Sequence, residues 1–186
     1  MKNTLLLTCI FIVAISCQYK KEDNSVAAYK GIYKISKGAL GPIKVGSHIS
    51  DYNLDTLHKV AVDAYTYHYG GGGNSFKYTY KDADVFVLMP ARDTDSIIAI
   101  MALYPHFKTD AGLGPKMTVK DIIAQYKGAQ ISNDLLSGGE YIYDSVNKWY
   151  FVFETPEDKP IGNYKLADEP GTPVRLDAKC DWIEIK

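Results

Sequence analysis

Residues 64–80 read AYTYHYGGGGNSFKYTY, with four consecutive glycines, Gly70 to Gly73, between two runs rich in tyrosine. A phosphate-cradling loop leads from a strand into a helix carrying Lys and Ser or Thr, so that N–H groups at the helix terminus face the anion. Here the glycines lead into Asn74-Ser75-Phe76-Lys77-Tyr78-Thr79-Tyr80, an alternating strand, and no GK[ST] follows. The stretch therefore reads as a β-hairpin whose turn uses glycine's tolerance of positive φ. Symmetric folding pairs Tyr69 with Asn74, Tyr67 with Phe76, Tyr65 with Tyr78 and Asp63 with Tyr80. Alternation then puts Tyr65, Tyr67, Tyr69, Phe76, Tyr78 and Tyr80 on one face, and Thr66, His68, Ser75, Lys77 and Thr79 on the other. Six rings on one face either pack as core under a neighbouring element or form an open platform. On the platform reading, the rings nearest the turn, Tyr67, Tyr69 and Phe76, are the candidate binding surface, because tyrosine offers contact area and a hydrogen bond at low entropic cost.

Around this hairpin the chain shows a possible internal repeat. Ala39-Leu40-Gly41-Pro42 recurs as Gly112-Leu113-Gly114-Pro115, and each copy precedes a hydroxyl residue that opens a helical pattern. Ser47 introduces Ile49, Leu54, Leu57 and Val60; Thr118 introduces Val119, Ile122, Ile123 and Tyr126, with Asp121 placed to close a capping box. Strand patterns follow in each half: 61–69, 75–80, 84–89 and 96–103, then 140–144, 148–153 and 181–186, with 129–132 a further candidate. The expected fold class is α+β, two similar units in which a short helix packs on a small antiparallel sheet, spanning about 31–108 and 109–186. The one long irregular stretch, 154–173, holds half of the eight prolines and reads either as cover for a sheet edge or as a binding loop.

The amino terminus carries an address. MKNTLLLTCIFIVAISC has one cation, Lys2, and an apolar run from Leu5 to Ile15 too short for a permanent bilayer span. The run ends in Ala14-Ile15-Ser16-Cys17, which resembles the lipobox of bacterial lipoproteins. That resemblance implies a signal peptide at 1–16, diacylglyceryl attachment at Cys17, and a lipidated tether over 17–30. Lys21-Glu22-Asp23 in the tether resembles the surface-export signal of some Gram-negative lipoproteins; the alternative is a solvated linker at the periplasmic face of the outer membrane.

Chemistry-bearing motifs are sparse. A formal charge of −1 gives no basic surplus to attract nucleic acid. With Cys9 expected to leave with the signal peptide and Cys17 expected to be lipidated, Cys180 stands alone without a disulfide partner and reads as a small buried apolar residue. His48, His58, His68 and His106 lack metal-ligand spacing, and Asp93-Thr94-Asp95 reads first as a turn. No nucleophile elbow, HExxH or Ca²⁺ loop is present, so no catalytic residue, metal site or cofactor is expected.

Two successive helix-plus-sheet units, each introduced by a Gly-containing turn and a capping hydroxyl (Ile43-Lys44-Val45-Gly46-Ser47 in the first), resemble the β-lactamase-inhibitor-protein-like fold, also used by outer-membrane assembly lipoproteins of the SmpA/OmlA type. The stretch 84–123, with Phe107-Lys108-Thr109 before its Gly-Leu-Gly turn, is similar to YfeY-type lipoproteins. The first helix departs from the pattern, with Ser47-His48 after the glycine where methionine is usual and Asn53 within its stripe. The resemblance implies a non-catalytic, membrane-anchored binding module for a protein partner. The alternatives are a surface glycan-binding lipoprotein and a small hydrolase built on scattered carboxylates or histidines.

Overall fold

The computed structural model describes residues 34–67, 73–135, 137–156 and 159–186. The signal peptide, Cys17, Lys21, Glu22, Asp23 and Tyr69 lie outside them. The first elements are three two-residue strands, β1 (Ile35–Ser36), β2 (Ala39–Leu40) and β3 (Ile43–Lys44), in a tight antiparallel meander. Gly38 and Gly41 turn it at φ 66° and 55°, values that penalise any residue with a Cβ. Then follow β4 (His58–Asp63), β5 (Asn74–Tyr80), β6 (Ala83–Pro90) and β7 (Ile97–Ala102). The second half contributes α1 (Val119–Gln125), β8 (Ile131–Asn133), β9 (Glu140–Asp144), β10 (Trp149–Phe153), a small ribbon of β11 (Gly162–Asn163) and β12 (Thr172–Pro173), and β13 (Trp182–Ile185).

Eight strands form one antiparallel sheet in the order β4-β5-β6-β7-β13-β10-β9-β8. Each half thus supplies four strands, and the halves meet where β7 pairs with β13, Ile100 opposite Ile185. The two quoted Leu-Gly-Pro copies fold differently: the first is the β2–β3 turn, the second an irregular approach to α1. Gly114 in the second passes so close to the Phe107 carbonyl that a Cβ would collide with it.

The fold is mostly β, which corrects the expected α+β class of two helix-on-sheet units. Among the described residues the only α-helix is α1, where Thr118 Oγ1 accepts from the Asp121 N–H and the Asp121 carboxylate accepts from the Thr118 N–H. The expected first helix is replaced by a single 3₁₀ turn at Ile49–Asp51, followed by irregular chain. Asn53 gives a local reason. Its side-chain oxygen accepts from the Asp55 N–H at 3.1 Å, an Asx turn that competes with helical bonding. Ile49, Leu54 and Leu57 are buried nonetheless, so the apolar spacing was a packing signal rather than a helical one.

The sheet is apolar on both faces. On one, Phe86, Leu88, Ile100, Phe151, Ile183 and Ile185 pack beneath β1–β3 and α1. On the other, Val87, Met89, Ala99, Met101, Val152 and Trp182 form a second layer. This explains why Val85 to Met89 is a continuous apolar run and not an alternation: both sides of the central strands are buried. Each fully buried Phe or Leu contributes roughly 1.5–3 kcal/mol, so neither layer is incidental.

The irregular stretch covers an edge. Gly171, next to β12, exchanges backbone hydrogen bonds with Ile131 of β8, at 3.2 and 2.7 Å, and so occupies the outer side of that terminal strand. Glu140 holds the stretch down. Its buried carboxylate accepts from the Thr155 hydroxyl (2.6 Å), the Ile161 and Gly162 N–H groups (2.7 and 2.9 Å) and the Tyr164 hydroxyl (2.6 Å).

Candidate functional site

The register of β4 on β5 decides where the tyrosines go. Asp63 pairs with Asn74, Val62 with Ser75 and Ala61 with Phe76. The symmetric hairpin, with Tyr67 opposite Phe76, does not form. The reason lies at Asp63, whose Oδ1 accepts from the Tyr65 N–H at 2.8 Å, and the chain enters a 3₁₀ turn over Ala64–Tyr67 instead of extending. Phe76 and Tyr78 join the main core, with burial pushing the Tyr78 phenol up to about 12. Lys59 Nζ lies 3.9 Å from the centroid of the Phe76 ring. Tyr67 goes to the opposite layer, and Tyr65 is 70% exposed. The structure therefore separates Tyr67 and Phe76 onto different faces of the sheet.

Tyr67 lands on Trp182, ring centroids 5.5 Å apart and edge-on at 81°. Around that pair the second face is shaped into a groove. Tyr150 of β10 stacks on Tyr143 at 4.5 Å and meets Tyr141 edge-on at 5.3 Å. Lys186 Nζ sits 4.5 Å from the Tyr150 ring centre and 2.9 Å from Glu184. On one side of Tyr67 is a cavity of about 370 Å³, lined by Asn133, Tyr141, Tyr150, Val152, Glu184 and Lys186 among others. On the other is one of about 440 Å³, lined by Asp84, Tyr104, Lys116, Glu154 and Asp181. Burial raises the Tyr67 phenol, with Asp84 and Glu154 adding to the effect; burial also raises Tyr150, against the pull of Lys186. These phenols stay neutral near pH 7 and can donate a hydrogen bond.

The floor and far wall of this groove were missed by sequence reasoning centred on the glycines. A signal was present: alternation in Glu140-Tyr141-Ile142-Tyr143-Asp144 places two tyrosines on one face, and Tyr143 pairs directly with Tyr150.

Other titratable groups serve structure. Cys180 is fully buried, its Sγ 2.9 Å from the Trp182 carbonyl, and burial pushes the thiol far up. Asp93 adopts φ 57° in the β6–β7 turn. Asp95 beside it accepts from the Ser50 hydroxyl at 2.7 Å and lies 2.6 Å from His48 Nδ1. Both Ser50 and His48 bind the carboxylate, so the trio does not chain nucleophile to base to acid. It ties the 3₁₀ turn to the β6–β7 turn.

Hydrogen bonding to Asp95 raises the His48 pKa above 6.5, and the Ser50 and His48 bonds lower that of Asp95 to about 2. The His48 contribution to stability is thus complete below pH 6.5 and lost as pH rises through its raised value. The Asp95 contribution is complete above 3.8 and lost as pH falls through about 2. NMR titration of the His48 ring is expected to show this raised value in the native chain and a fall toward 6.5 in Asp95→Asn; an unchanged titration would refute the pairing.

Comparison with protein-family models, with curated proteins and with solved structures finds no match to this chain.

Proposed function

We propose that this chain is a bacterial lipoprotein, anchored through Cys17 at the outer membrane, that acts as a non-catalytic binding module for a protein partner. The observation that carries the reading is the groove on the second sheet face, where Tyr67, Tyr141 and Tyr150 surround Trp182. Its rim is acidic: Asp84, Asp134, Glu154, Asp181 and Glu184 outnumber the three lysines that pair with them, Lys77 with Asp84, Lys116 with Asp181 and Lys186 with Glu184. Tyrosine faces and carboxylates together suit a partner segment presenting Arg or Lys, whose cations can stack on the rings and face the acids.

The test is titration with a short Arg/Ser peptide and with the same peptide carrying Glu for Arg. Only the Arg peptide is expected to bind, less tightly at high salt, and Tyr150→Ala is expected to weaken it roughly tenfold. Retardation by a soluble glucan with no peptide binding would overturn this in favour of the glycan reading, for which the stacked Tyr143–Tyr150 pair is the specific support. Location is tested separately by protease treatment of intact cells. Protection of the variant with Lys21, Glu22 and Asp23 all replaced by alanine, where the native chain is cut, supports surface export; equal protection of both assigns the periplasmic face.

A further inference from the structure

The two ends of the eight-stranded sheet are finished differently. β8 is three residues long and its outer side is taken by Gly171. β4 is twice as long, pairs among the described residues only with β5, and contains no proline, glycine or register shift. His58, Lys59, Ala61 and Asp63 on it are exposed. A long regular edge strand offers unpaired N–H and C=O groups to another strand, and proteins usually block such edges.

The residues on this edge are complementary to themselves. Lys59-Val60-Ala61-Val62-Asp63 reads the same in both directions except that its ends carry opposite charge. We propose that β4 pairs with β4 of a second copy, antiparallel about a two-fold axis through Ala61. Ala61 then opposes Ala61, Val60 opposes Val62, and Lys59 opposes Asp63 at both ends. Directly opposed residues in an antiparallel pair share a face, so this register keeps the main core of both copies on the same side and continues one sheet into the other. A shift of one residue would set the Lys59 side of one copy against the Val60 side of the other. The interface is isologous, as a closed dimer requires. Within one copy Lys59 lies over Phe76 and Asp63 accepts from the Tyr65 N–H, and among the described residues neither has an ion-pair partner. Each charge is free to meet its opposite across the axis. Lysine on an edge strand ordinarily opposes self-association; here the aspartate four residues on converts it into a register device.

Cysteine scanning of the full chain tests this. Opposed residues across an antiparallel pair sit about 4.5–5.5 Å apart at Cα, within the roughly 4.4–6.8 Å that a disulfide spans. Lys59 of one copy is about 13 Å along the strand from Lys59 of the other. Under mild oxidation Ala61→Cys is expected to give a disulfide-linked dimer and Lys59→Cys to give little. In the Ala61→Cys background, Lys59→Asp or Asp63→Lys alone is expected to reduce the crosslinked fraction about tenfold, since both symmetric pairs turn repulsive. The two changes together restore the attraction and the crosslink. A flat profile across the strand, no crosslink at position 61, or no rescue by the double exchange would each overturn the proposal. A crosslink from position 61 to a different protein, with no homodimer, would assign the edge to a foreign strand and overturn it as well.

Discussion

Glu140→Ala is expected to destabilise the protein by about 3–5 kcal/mol, the largest effect of any single polar substitution considered. The carboxylate is 3% exposed and serves four donors. The Thr155 and Tyr164 hydroxyls can rotate towards other acceptors. The Ile161 and Gly162 N–H groups cannot, and a buried donor without an acceptor costs about 1–3 kcal/mol. Beyond this, the stretch it secures is closely fitted. A Cβ on Gly162 would meet the Tyr164 ring at 2.6 Å, and one on Gly171 would meet the Asn163 carbonyl at 2.8 Å. Once Tyr164 is released, the β11–β12 ribbon and the Gly171 bridge to β8 lose their support. Urea denaturation should show a lower midpoint, and hydrogen exchange should be fastest at Ile161 and Gly162. Glu140→Gln keeps the shape but turns an NH₂ towards donors, so it should lie between. Unchanged exchange at both amides would refute the latch.

Trp182→Ala is expected to cost about 3–5 kcal/mol, the range for emptying a buried large aromatic site. Trp182 is 3% exposed at the centre of the second layer and carries Tyr67 edge-on. Trp182→Phe retains a ring against Tyr67 and should cost about 1–2 kcal/mol. The substitution also removes the floor shared by both cavities, so binding of the Arg/Ser peptide should fall in Trp182→Ala even below the temperature at which it unfolds. A cost below about 1 kcal/mol would mean that the second layer is not a core, contrary to its burial.

Strand positions were the most legible part of the fold. The patterns at 75–80, 84–89, 140–144 and 148–153 correspond closely to β5, β6, β9 and β10, because alternation and β-branched runs report a pleated surface directly. The capping box at Thr118 and Asp121 was equally local and formed as read. The first helix was misread because apolar spacing alone cannot distinguish a helix from a turn followed by a strand, and the Asn53 side chain tips that balance. The candidate site was half legible. The residues give Tyr67, but on a shared face with Phe76; the chain leaves the strand at Asp63 for a 3₁₀ turn, and beyond it alternation no longer relates the two rings.

What this sequence determines alone is local: the strands β5, β6, β9 and β10 and the capping box that opens α1. Each depends on neighbours a few residues away, where backbone and side-chain preferences act without help. Only the tertiary structure decided that β7 and β13 join the halves into one sheet, that Tyr67 crosses to Trp182, and that Glu140 gathers donors from residues 155, 161, 162 and 164. Those outcomes depend on burying both faces of the central strands at once, and that requirement involves residues far apart in the chain that no local pattern relates.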